Sequence, residues 1–342
     1  MFLSYDTVEA FAVKRNPVLS FPFLKENGEL LSICIDSGFL IEPRALTLYN
    51  DFYENAFKLT QLYPQYYRFT LAMTIDIEKA GMTGTESGKI AKYVKDEQLW
   101  LYDTSDTRRL ETLTLLKGQG SLDGSSLEVY KSTIEKLDQF ISNPDWYKKF
   151  NKPLFYDLTH IIFFLTDNGK QPFSLKNDPQ TCLIYMGLLS LLDNDADLLA
   201  EVCICLRYLG KEVPKYWDEF LQKSFKGIDV TYDGTVASAL NPTVDEYHIY
   251  FVLNWYQALN GKPAFDTRFK GRIPSFSIPN MQPSLLSKLS DQAHQNHLGR
   301  EADKTSLAIF LAGLEAHEAA HWRACFKSTS LSEELVKSFL ID

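Results

Sequence analysis

DLTHIIFFLTDNGK (157–170), DADLLAEVCICLRYLGK (195–211) and DEYHIYFVLNWYQALNGK (245–262) decide the fold class. Each is an apolar run with a polar, acidic start and a Gly-Lys stop. A fully buried strand runs for about four to eight residues, and these stretches continue well beyond that, into helix length. The glycine marks the stop. The residue just past a helix end adopts a left-handed backbone, which glycine takes without steric penalty. A fourth stretch, PQYYRFTLAMTIDIEKAG (64–81), closes in the same manner at Gly81.

Working outward, steps of three and four recur through Tyr49, Phe52, Tyr53, Ala56, Leu59 and Tyr63, the spacing of one helix face. The same reading predicts helices at 21–36, 105–117, 125–141, 154–166, 181–192, 195–209, 214–224, 243–260, 283–295, 302–326 and 330–340. Start signals accompany several of them: Asn143-Pro144, Asp178-Pro179, and Thr243 followed three residues later by Glu246. No sustained alternation occurs, and no Asn-Gly or Asp-Gly turn joins two β-branched runs. The expected class is therefore all-α. Gly169, Gly210 and Gly261 recur near the ~40–47-residue period of stacked helix pairs, with Gly81 about two periods earlier. That spacing predicts an α/α toroid of helical hairpins in a single large domain, 1–342. Its parts are a repeat-like core over about 43–261, a proline-rich loop over 261–283, and C-terminal helices over 284–342.

The chain has 342 residues, of which 45% are hydrophobic and 23% charged, a globular composition. Lys and Arg number 35 against 44 Asp and Glu, a net charge of −9. That balance opposes a nucleic-acid partner, whose phosphates are met by basic surfaces. No apolar stretch reaches the ~20 residues of a membrane span, and MFLSYDTVEAFAVKRNP lacks the apolar segment of a signal peptide. With five scattered cysteines, these features predict a cytoplasmic protein with reduced thiols and no membrane contact.

Aligning the helices on their glycines brings polar residues into register. His160 lies nine residues before Gly169 and Glu201 nine before Gly210, while His248 shares the local context of His160. Two imidazoles and one carboxylate make a set that holds a divalent metal, zinc or iron, and leaves positions open for water or substrate. The metal ligands expected on this reading are His160, Glu201 and His248. Asp157 and Asp245, each three residues before a histidine, orient the imidazoles or move protons. Cys205 is a substitute ligand. The chain is thus expected to be a metal-dependent enzyme with this site in a central helical pocket, its ligand a small molecule or a peptide. The alternative is a non-catalytic helical scaffold that binds a protein or peptide, with the trio closing buried hydrogen bonds. A further candidate is His317-Glu318-Ala319-Ala320-His321, an HExxH match of the kind that binds zinc in proteases. Glu315 and Arg323 place charges where such enzymes favour apolar residues. Gly81-Met82-Thr83-Gly84-Thr85-Glu86-Ser87-Gly88-Lys89 has Ile90 where a phosphate loop needs Ser or Thr, and reads as a turn opening the next helix.

These stretches resemble an uncharacterised bacterial family, a domain of unknown function of about this length. The resemblance rests on Leu-Thr-His at 158–160, Leu-Ala-Glu at 199–201 and Tyr-His at 247–248. It implies weight on those three polar positions and no assigned activity. The expected toroid is similar in architecture to prenyltransferases and lanthionine cyclases, an analogy that fixes no function.

Overall fold

The structure, a computed structural model, describes residues 2–232, 246–278, 284–297, 309–332 and 334–335. In chain order the helices are α1 (Tyr5–Glu9), α2 (Phe21–Asp36), α3 (Pro43–Leu46), α4 (Asn50–Leu62), α5 (Tyr67–Lys79), α6 (Glu86–Asp96), α7 (Asp106–Gly118) and α8 (Gly124–Phe140). They continue with α9 (Lys152–Leu165), α10 (Gln180–Leu192), α11 (Ala196–Tyr208), α12 (Lys215–Lys226), α13 (Tyr247–Leu259), α14 (Leu285–His297) and α15 (Ala316–Lys327). Among the described residues, strands are confined to two short ladders. β1 (Phe2–Leu3) pairs parallel with β2 (Leu40–Ile41), and β3 (Asp229–Tyr232) pairs antiparallel with β4 (Pro274–Ser277). The chain is all-α, as the apolar runs predict. The helix expected over 302–326 is interrupted within the described residues. A turn at Gly313-Leu314 precedes a capping box, in which Glu315 and Glu318 satisfy each other's backbone N–H groups and start α15 afresh.

Two compact units emerge, Met1–Leu137 with Ile228–Ser277, and Asp138–Gly227 with Ile278–Asp342. In the first, α2 packs against α5 and α13. Its core holds a buried cation, Arg15, only 2% exposed. The guanidinium forks onto Glu26 at 2.8 and 3.0 Å and also donates to the Pro274 carbonyl. Phe11, Tyr247 and Phe276 surround it with ring faces, so a charge that burial would otherwise disfavour is paired and hydrogen-bonded. Asp6 fixes the proline-rich segment. Its carboxylate accepts from the backbone N–H groups of Phe269, Lys270 (2.8 Å) and Gly271 (2.9 Å). Burial raises the Asp6 carboxyl, but these three donors outweigh it and hold the group below the usual carboxylate value.

The turn after α5 also lies in this unit. Glu78 accepts from the Ser87 backbone N–H at 2.9 Å and from its hydroxyl at 2.5 Å, while the Tyr53 hydroxyl donates to it at 2.6 Å. The N-terminus of α6, where a phosphate loop would hold its anion, is met by the protein's own carboxylate. As the sequence predicts, residues 81–85 form a turn that opens the next helix, α6, at Glu86.

In the second unit α11 packs against α9, α10 and α12, with α10 also against α15. The stop at Gly210 is as expected: Gly210 is left-handed (φ 67°) and the Lys211 N–H reaches back to the Leu206 carbonyl at 2.8 Å. Helix α9 differs. Its left-handed closing residue is Asp167 (φ 47°), with the Asn168 N–H bonded to the Phe163 carbonyl at 2.8 Å. Gly169 belongs to the following turn, where a Cβ would stand 2.4 Å from the Tyr208 ring. Aligned on true helix ends, His160 and Glu201 are two residues out of register. The hairpin of consecutive packed helices is the recurring element of this unit.

Candidate functional site

Helices α9 and α11 face each other across a polar seam. On α11, Asp197, Glu201 and Cys205 follow at four-residue steps and so share one face. On α9, Tyr156 donates its hydroxyl to Asp197 at 2.6 Å, and Thr159 donates to Glu201 at 2.6 Å. Lys152 meets Asp195 at 2.6 Å, and the Cys205 thiol lies 3.7 Å from the Thr159 carbonyl. Glu201 is 2% exposed. Burial, then the Asp197 and Glu201 charges, push the Tyr156 phenol far above its ordinary value, so it stays a neutral donor. Burial and then Glu201 do the same to the Cys205 thiol, which keeps it from the thiolate form that metals take.

The expected ligand set is divided. His160 is half-buried on α9, and its Nδ1 donates to the Tyr156 carbonyl at 2.6 Å. Because a carbonyl only accepts, that nitrogen carries the proton, and Asp157 is not what orients the ring. Asp157 is half-buried on α9, near enough to Tyr147 to raise its phenol after burial has done so. His248 stands in the first turn of α13 in the other unit, its ring against Tyr247. Asp245 lies outside the described residues. Among the described residues, no group of three or more His, Cys, Asp or Glu is arranged to hold a metal ion. The seam brings together Glu201 and Cys205 with Tyr156, Thr159 and Asp197, which the sequence did not single out.

The HExxH residues lie at a cleft. It has a volume of about 550 Å³ and runs between α12 and α15. Tyr216, Phe220 and Lys223 line it from α12, and His317, His321 and Ala324 from α15. The Tyr216 hydroxyl donates to His321 Nδ1 at 2.7 Å, and His321 Nε2 donates to the Leu191 carbonyl at 3.1 Å. Both ring nitrogens are thereby used, and none is left for zinc. Burial first, then the nearby Lys223 charge, hold His321 below the ordinary histidine value. Glu318 is buried, salt-bridged to Lys288 and bonded to the Glu315 N–H at 3.1 Å. Lys288 and then the Glu315 N–H lower its carboxyl. It is a helix cap rather than a free base. His317 is exposed, 3.3 Å from Glu315.

Sequence reasoning missed Tyr216, Phe220 and Lys223. Their signal is periodicity: at i, i+4 and i+7 they form the face of α12 beside the buried pair Trp217 and Leu221. Trp217 sets that face, because its ring lies where a side chain at Gly187 of α10 would project and its Nε1 donates to Ser328 at 3.1 Å.

No helix among the described residues is long and apolar enough to cross a membrane. All five cysteines are buried free thiols. No curated protein and no solved structure matches the chain. A family model does match, over residues 4–340. The chain therefore belongs to the domain-of-unknown-function family DUF6902.

Proposed function

We propose that this chain is a helical binding protein that takes a small-molecule or short-peptide ligand in the cleft between α12 and α15. The observation that carries the reading is the cleft itself, about 550 Å³ in volume with Phe220, Leu285, Ala320 and Ala324 in its lining and charged groups among them. Such a mixture of apolar surface and a few placed polar groups is what small-ligand sites present. A groove of similar volume occurs in the first unit, but Lys58 is the one charged group in its described lining.

Binding fits the chemistry better than metal-centred catalysis. Thr159 occupies an oxygen of Glu201, Cys205 is held as a thiol, and His321 spends both nitrogens on protein partners. These are the habits of side chains that shape a scaffold.

A thermal-shift screen of small molecules and short peptides tests the reading, run on the wild type and on Ala320→Trp, whose exposed indole fills the cleft. Ligands that stabilise the wild type and lose their effect in Ala320→Trp support it. Ligands that stabilise both equally, or an empty screen, overturn it.

A further inference from the structure

The chemical class of the ligand follows from an inventory of charge around the cleft. Glu318 is paired with Lys288. His317 is paired with Glu315 at 3.3 Å, and Glu219 with Lys215 at 3.5 Å. Lys223 is the remaining charged group of the lining, and among the described residues no acid pairs with its ammonium. It is an exposed side chain on the α12 wall of the cleft, across from His321. One turn before it, Phe220 lies nearly parallel to the His321 ring, at 24° with centroids 6.1 Å apart. Ala320 and Ala324 supply low apolar steps across from it.

We infer that the cleft selects a ligand with one carboxylate and a flat apolar body, the carboxylate received by Lys223 and the body laid against Phe220, Ala320 and Ala324. The inference rests on the binding function proposed above. A single ammonium that lacks a counter-charge gains most from a single anionic oxygen pair. An ammonium on the ligand would instead meet like charge, and a neutral polar head would forgo the charge-assisted hydrogen bond that Lys223 offers a carboxylate. Paired acids at the other charged positions offer no competing anchor for a cation.

The test uses two shape-matched probes, 3-phenylpropionate and 3-phenylpropanamide, titrated calorimetrically into the full chain, Lys223→Gln and Ala320→Trp. The wild type is expected to bind the acid roughly tenfold or more tightly than the amide, the scale of a charge-assisted hydrogen bond. Lys223→Gln brings the acid down to the amide's affinity and leaves the amide unchanged. Ala320→Trp loses both. Equal affinity for acid and amide in the wild type, with both lost in Ala320→Trp, overturns the charge selection and leaves the cleft as the binding site. No binding of either probe, or binding that survives Ala320→Trp, overturns the cleft and the selection together.

Discussion

Thr159 holds Glu201. The hydroxyl of one donates to the carboxylate of the other at 2.6 Å across the α9–α11 seam, and both side chains are buried. A carboxylate taken from water needs such donors, because the interior gives it little other compensation. Thr159→Val keeps the shape and removes the donor, so it is expected to lower stability by about 1–3 kcal/mol. Thr159→Ser, which keeps the hydroxyl, should recover most of that. Urea unfolding of the three proteins decides it, and a Thr159→Val protein as stable as the parent would show that the bond contributes nothing net.

His321 makes the second unit sensitive to mild acid. Its folded value lies below the ordinary 6.5, chiefly through burial. Below about 6.5 the unfolded imidazole takes up a proton that the folded one still refuses, so protons favour the unfolded chain. Stability contributed by this residue is complete at neutral pH and falls as pH drops through that window. The urea midpoint of the wild type should decline between pH 7 and 5 more steeply than that of His321→Asn. Parallel curves would refute the assignment.

Gly187 sets two effects against each other. Alanine in a helix interior is favoured over glycine by about 1 kcal/mol. A Cβ at 187, however, would stand 2.2 Å from the Trp217 ring. Overpacking a tight core costs about 1–3 kcal/mol, so Gly187→Ala should destabilise. In a Trp217→Leu background the same change should be neutral or favourable. A stabilising Gly187→Ala in the wild type would mean that Trp217 yields freely.

Asp6 protects three amides. Asp6→Asn weakens acceptance at the Phe269, Lys270 and Gly271 N–H groups, and amide exchange there is expected to accelerate roughly tenfold or more. Exchange elsewhere in the first unit, along α5 for example, should change far less. Uniform acceleration across the unit would indicate global unfolding instead of local release.

Much of the fold was legible because helix ends are written locally. Helix α2 occupies the predicted 21–36, and Gly210 and Gly261 sit where a left-handed residue is required. The misreading at α9 has a local cause as well. Asp167 and Asn168 adopt the left-handed turn themselves, at φ 47° and 51°, so the glycine that seemed to mark the stop comes two residues late. That slip created the apparent register between His160 and Glu201. The cleft was illegible for a different reason. What disqualifies His321 as a ligand is a carbonyl from Leu191 and a hydroxyl from Tyr216, both remote in sequence, and no motif announces such partners. The HExxH spacing specifies a face, and only tertiary packing decides what that face meets.

The first unit is assembled from two stretches that are not contiguous, with the segment 138–227 threaded between them. Arg15 and Asp6 near the beginning wait for Pro274 and for the amides of 269–271 near the end. A ribosome delivers these partners late. Until it does, the leading stretch carries a cation and an anion without their full complement, while the intervening segment is already off the template. Order of birth and order of completion are thus reversed for the first unit, and cutting the chain short of 274 would strand its oldest residues.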